Sequence, residues 1–328
     1  MIRKFFAALG CAVLGAAVML LALPLLPRQL LPHGRAETLA ATEAETAPAE
    51  PEPFDEAVTL RVLVDGAVRE QTLHDYLVCV LLAEVPSGFA AEALKAQACA
   101  ARTFALRQAG AGKHAEADVC ASAACCQGWC APEQWPEHAA AEAAVTETDG
   151  LAVVYDGQLI DATYFSCSGG RTEAAVAVWG GEIPYLQSVP SPGEEDAPRE
   201  TETLTFTAEE FRDHITPARP DVDLSGTPET WFGTVRYTAG GGIGTLELGG
   251  ASFTGTELRR LLGLRSTDIE FSPQEDGVTV TTHGFGHRVG LSQYGAEAMA
   301  QAGRRFDEIL LHYYQGTEIR RLTLDGEK

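Results

Sequence analysis

The sequence predicts an α+β fold: a mixed helix and strand catalytic domain behind an N-terminal membrane helix and a disordered linker, with a smaller α+β insertion. Three observations predict it. Val58, Leu60, Val62 and Val64 alternate with polar or outward positions, which marks a half-buried strand. Leu73, Tyr76, Leu77, Val80 and Leu81 recur at intervals of three and four, which marks an amphipathic helix. Before them, residues 33–56 are rich in Ala, Glu, Thr and Pro with almost no large apolar group, a composition that cannot bury enough surface to fold.

Each element follows in order. Phe5 to Leu26 gives 22 mostly apolar, uncharged positions after Arg3 and Lys4, enough to cross a bilayer core. A cleaved signal peptide begins the same way, but this run is long for one and no small-x-small site follows it directly. The basic flank assigns residues 1–4 to the cytoplasm, 5–26 to the membrane, 27–56 to a tether and 57–328 to an extracytoplasmic catalytic domain. The strand from Val58 turns at Asp65-Gly66, a hairpin signal. The helix from Leu73 should stop at Val85, because Pro86 disfavours a helical residue before it. An Ala-rich helix covers about 90–108 and ends at Gly110 and Gly112. A Cys-rich loop runs from His114 to Cys130, then a helix near 136–146 and strands at Leu151–Tyr155 and Leu159–Phe165. The insertion is placed at about 200–276, with a helix near 208–214 and strands near 234–238 and 244–248. A Gly-rich loop, His283 to Gly290, precedes helices at 292–302 and 306–313.

The formal net charge of -22 and pI near 4.7 make the chain a poor nucleic-acid binder, since phosphate binding needs clustered Lys and Arg. They also give no long-range steering toward anionic polymers, so a neutral or locally zwitterionic substrate fits better.

Four segments carry chemistry. Glu84 falls on the apolar face of its helix, in the last turn. Desolvation and the negative helix end both favour its protonated form, as a general acid requires. Against this stands a helix-end Glu pointing to solvent. Lys95 and Arg102, seven apart, share one helix face and by themselves read as solvated surface charge. His114, Cys120 and Cys126 have ligand types suited to zinc, and a closed four-ligand site would be structural. Cys125 beside Cys126 and Cys130 nearby leave the register and a disulfide alternative open. Tyr164-Phe165-Ser166-Cys167-Ser168-Gly169-Gly170 ends a strand in a turn that can present hydroxyls and N–H groups to a sugar. Gly284-Phe285-Gly286-His287-Arg288-Val289-Gly290-Leu291-Ser292-Gln293-Tyr294-Gly295-Ala296 is dense in Gly, which lets backbone approach a ligand.

Together these segments resemble the stage II sporulation protein D family across about residues 57–320. The resemblance rests on Glu84-Val85-Pro86, Glu92-Ala93-Leu94-Lys95-Ala96-Gln97-Ala98, Ala100-Ala101-Arg102-Thr103 and the two Gly-containing motifs. Val85 stands where Met is usual, Cys167 where a small polar residue is common, and Arg288 where the family has Gly. The resemblance implies Glu84 as catalytic residue and Lys95 and Arg102 as active-site cations. It also implies Tyr164, Ser166, His287 and Gln293 as substrate contacts and His114, Cys120 and Cys126 as metal ligands. It implies a peptidoglycan lytic transglycosylase acting on glycan strands stripped of stem peptides, in septal remodelling and engulfment beside stage II sporulation proteins P and M. Two rivals remain: an amidase enhancer that binds wall and activates a partner hydrolase, and a zinc hydrolase using the His/Cys set.

Overall fold

The computed structural model describes residues 53–134 and 138–324. The run Phe5 to Leu26 and the tether as far as Glu52 lie outside them. Among the described residues no helix is long and apolar enough to cross a membrane.

Folded structure starts before the first alternating strand, inside the stretch assigned to the tether. A short helix, α1 (Phe54–Ala57), buries Asp55 completely. The alternation then forms β1 (Thr59–Val64), which turns through Asp65 (φ 50°) and Gly66 (φ 80°) into β2 (Ala67–Thr72). Two consecutive positive φ values match the twist of the paired strands, which is what an Asp-Gly turn supplies. Thr72 caps α2 (Leu73–Glu84), its side-chain oxygen accepting the Asp75 N–H at 3.1 Å. Val85 is extended (φ -130°), so α2 ends one turn-signal before Pro86.

Helix α3 (Ala91–Ala111) ends on Gly112 in the left-handed region (φ 63°), with Gly110 still helical. Its alanines face two ways. Ala98, Ala101 and Ala105 pack into one apolar core with Leu60, Val62, Leu77 and Leu81. Ala93, Ala96 and Ala100 pack into a second with Val153, Leu291, Ile309 and Leu310. Alanine suits this place because it has the highest helix propensity and the smallest β-carbon side chain, so neighbours approach closely on both sides.

The remaining elements wrap these cores. β3 (Val119–Cys120) runs parallel to β1 and ties down the Cys-rich loop. α4 (Ala139–Glu147) precedes β4 (Leu151–Tyr155), which pairs antiparallel with β5 (Gln158–Leu159). The strand expected through 159–165 is interrupted: Asp161 donates its N–H to the Tyr185 hydroxyl, and pairing resumes only at β6 (Tyr164–Phe165). β7 (Gly170–Arg171), α5 (Ala175–Trp179) and β8 (Pro190–Ser191) follow.

The insertion has its own apolar core, built on Phe211, Trp231, Leu248, Phe253 and Val280. It contains β9 (Thr201–Thr207), α6 (Ala208–Ile215), β10 (Phe232–Tyr237), β11 (Ile243–Leu248), β12 (Ala251–Phe253), α7 (Gly255–Leu261), β13 (Asp268–Gln274) and β14 (Gly277–His283). Its expected end at 276 is therefore too early. β14 is the central strand between β13 and β9, so the unit closes at His283. The chain returns through β15 (Leu291–Ser292), parallel to β6, then α8 (Gln293–Gln301), α9 (Phe306–Tyr313) and β16 (Glu318–Arg321) beside β4.

Arg102 is not the surface or cleft cation its helix face suggested. It is 0% exposed, donating from Nε to Asp55 Oδ1 (2.9 Å) and from Nη2 to Oδ2 (2.5 Å). It also donates to the Leu151 carbonyl (2.9 Å). It pins α1 and the start of β4 onto α3. Removing one partner strands a buried charge, at a cost of about 3–5 kcal/mol. Asp55→Ala is expected to lose that much in urea unfolding. Activity loss without stability loss would instead make Arg102 a substrate contact.

Candidate active site

A groove runs over the end of α2, with two lobes of about 590 and 540 Å³. Ala83, Glu84, Ser166, Arg199, Phe285 and Gln293 line both, so Glu84 lies where the lobes meet. Three segments remote in sequence build the walls. They are the end of α2, the β6 strand with its following turn, and the Gly-rich loop leading into α8. The parallel pairing of Leu291 with Tyr164 and Ser292 with Phe165 brings the last two together.

Glycine is required twice in that loop. Gly286 (φ 123°) lies so close that a Cβ would meet Phe165 Cβ at 2.7 Å, and one at Gly290 (φ 85°) would strike the Thr163 carbonyl. Arg288 keeps the left-handed backbone a glycine would adopt (φ 63°) yet is 0% exposed. Its guanidinium donates to the carbonyls of Ser168 (2.7 Å), Arg171 (3.0 Å) and Gly240 (2.7 Å) and pairs with Asp268 at 3.1 Å. It thereby staples the insertion's 238–242 turn to the groove loop.

The Glu84 carboxylate accepts the Gly128 N–H at 2.5 Å. Burial pushes its carboxyl above the ordinary carboxylate value; the Gly128 N–H, the Gln293 amide and the Tyr164 hydroxyl favour the ionised form and oppose that rise. Tyr164 is held in turn by Gln127, whose amide donates to the Tyr164 oxygen at 2.9 Å while accepting from the Tyr76 hydroxyl at 3.1 Å. Gln293, the first residue of α8, is 6% exposed and turns its amide toward Glu84. The Ser166 carbonyl accepts the Tyr294 N–H at 3.0 Å, fixing that residue beside both lobes. His287 lines one lobe, packed against Phe165 and Trp179. Burial and then the Arg259 charge press its imidazole down to about 4, so it is neutral at neutral pH and no proton donor there.

His114, Cys120, Cys125 and Cys126 place their ligand atoms within 4.8 Å of one another, with His114 Nε2 and Cys126 Sγ at 3.2 Å. Cys120, Cys125 and Cys126 are thiols rather than disulfides. One imidazole and three thiols are a donor set that could hold a metal ion. Cys125 completes this set, which the six-residue spacing of His114, Cys120 and Cys126 passed over. The cluster adjoins the groove, since Cys126 lines one lobe and the same loop supplies Gln127 and Gly128.

The groove thus gathers Glu84, Tyr164, Ser166, His287 and Gln293, and leaves out two expected members. Lys95 is ion-paired to Glu92 (2.9 Å) and Glu147 (2.6 Å) and lines neither lobe; Arg102 is buried against Asp55. Sequence reasoning missed Gly128 and Arg199. Gly128 acts through a backbone N–H, which leaves no side-chain signal, and Arg199 follows a proline in a stretch without a motif.

Raised above its unfolded value of 4.5, the Glu84 carboxyl contributes stability that is complete below that pH and lost as pH climbs through the folded value. In urea unfolding, Glu84→Gln should match the native chain near pH 4 and exceed it at pH 7. The opposite trend would mean that the carboxylate is stabilised rather than desolvated.

A family model described as stage II sporulation protein matches residues 65–155. Stage II sporulation protein D of Bacillus subtilis (strain 168) is 38% identical over 270 residues, spanning 77% of this chain and 76% of that one. The Bacillus amyloliquefaciens protein of the same name is 36% identical over 294 residues, spanning 85% and 84%. An amidase enhancer of Bacillus subtilis (strain 168) is 28% identical over 287 residues, spanning 72% of this chain and 39% of its own length. With two relatives this similar over most of both lengths, the chain belongs to the stage II sporulation protein D family.

Proposed function

We propose that the protein is a peptidoglycan lytic transglycosylase, anchored by residues 5–26 and facing outward, that cleaves glycan strands freed of stem peptides during sporulation. One observation carries the reading. Among the described residues lining both lobes, Glu84 is the only carboxylate. Hydrolysis of a glycoside needs a second carboxylate to activate water or attack the sugar. A reaction in which the substrate supplies its own nucleophile needs only one.

In that reaction Glu84, protonated, gives its proton to the glycosidic oxygen as the bond to the anomeric carbon breaks. The C6 hydroxyl of the same N-acetylmuramic acid bonds to that carbon, and the Glu84 carboxylate takes the hydroxyl's proton. No water is consumed and the product ends in a 1,6-anhydro sugar. Burial favours the acid form at the start. The Gly128 N–H, the Gln293 amide and the Tyr164 hydroxyl support the base form in between. The acting place is the septal wall during engulfment, beside stage II sporulation proteins P and M.

Zinc suits the donor set of His114, Cys120, Cys125 and Cys126, and a closed four-ligand site of this kind is structural. Bound there, it would fix the loop that offers Gly128 to Glu84 rather than take part in bond breaking.

The amidase enhancer relative supports a second reading, in which the groove binds wall and a partner hydrolase cuts it.

Mass spectrometry of peptide-free glycan strands digested with the full-length chain should find anhydro ends, with Glu84→Gln slower by a factor of about 10³. Reducing ends without anhydro ends would reject the mechanism, and a fully active Glu84→Gln would favour the enhancer. Elemental analysis should find about one zinc per chain, absent from Cys126→Ser. Chelation should lower the thermal midpoint before it lowers activity per folded molecule; activity lost with the fold intact would make the metal catalytic.

A further inference from the structure

Both lobes of the groove share one cation. Arg199 lines each, and among the described residues its guanidinium makes neither hydrogen bond nor ion pair. The other basic groups nearby are committed or neutral: Arg265 is bound to Glu202 at 2.8 Å, and His287 carries no charge at neutral pH. Arg199 rests near the face of Phe285, 6.0 Å from its centroid, a contact that orients a guanidinium without using its N–H donors.

Its backbone is the second observation. Arg199 adopts φ 68° in a tight turn, where Glu200 donates its N–H to the Ala197 carbonyl at 3.1 Å. Glycine or asparagine fits that conformation with less strain. The position gains nothing from arginine as backbone, so its side chain is what the groove uses.

We propose that Arg199 binds the lactyl carboxylate of an N-acetylmuramic acid seated beside Glu84, and so selects strands whose stem peptides have been removed. The inference rests on the reading of the groove as a glycan site. In a peptide-bearing strand that carbon is an amide, with no charge and only one oxygen acceptor. In a stripped strand it is a carboxylate, which matches the two parallel N–H donors of a guanidinium. With a net charge of -22 the protein offers such a strand no distant attraction, so the countercharge has to be local.

The test compares stripped strands with the same strands converted to lactyl methylamides, which removes the charge and adds little bulk. The native full-length chain should show a kcat/KM about tenfold higher on the acid strands at low salt. In Arg199→Gly, which relieves the backbone strain and should fold at least as well, the acid-to-methylamide ratio should fall to about one. Arg199→Lys should keep part of it. A ratio unchanged in Arg199→Gly overturns the assignment.

Co-sedimentation of both strand types with Glu84→Gln separates this inference from the cleavage mechanism. Preference for acid strands that disappears in Glu84→Gln/Arg199→Gly sustains Arg199 as the selector even if the native chain makes no anhydro ends. Equal binding of the two strand types refutes it even where cleavage proceeds.

Discussion

Helix α3 has no free side through most of its length, and the site depends on that. It packs against α2, α4, α8, α9 and β4. Glu84 ends α2 and Gln293 begins α8, so both are positioned from one rigid reference. A larger residue in place of Ala96, Ala98, Ala100 or Ala101, all 0% exposed, would push two cores apart at once. The buried Asp55–Arg102 pair adds a directional contact to this apolar packing. It fixes where the chain enters and how α3 lies against β4.

Around Glu84, influences oppose one another and burial prevails, so the carboxyl is raised above its ordinary value. The negative end of α2 and loss of water favour the proton; a backbone N–H and two side-chain dipoles favour its departure. In the proposed reaction one carboxyl serves as acid and then as base, which needs both forms within reach. The loop that contributes the N–H is held at one end by β3 and carries the His/Cys cluster along its length. Its rigidity therefore bears directly on the carboxyl.

Local chemistry was legible in the sequence. The Asp-Gly turn, the stop before Pro86, and the desolvated face on which Glu84 lies all come from neighbours a few residues away. What was not legible depends on distant partners. Arg102 looked like a solvated cation because Asp55, 47 residues earlier, sat in a stretch too polar to suggest folded structure. The insertion was closed too soon because β14 completes a sheet with β9 across more than sixty intervening residues, and no short-range signal marks that pairing. Gly128 reaches Glu84 over a separation of 44 positions through its main chain alone. Arg199 carries no sequence signal for a related reason: that its guanidinium makes no hydrogen bond or ion pair among the described residues is a property of the folded groove alone.

Arg288 has a wider consequence. Where the family pattern has glycine, this chain accepts a strained backbone, of the order of 1 kcal/mol, and gains a side chain that reaches across to Gly240. The glycine form of this loop would shape the groove equally well but leave the appended unit to find its own angle. Arg288 couples the two mechanically, so a change in the outer unit that shifts Gly240 or Asp268 would be felt in the loop that lines the groove.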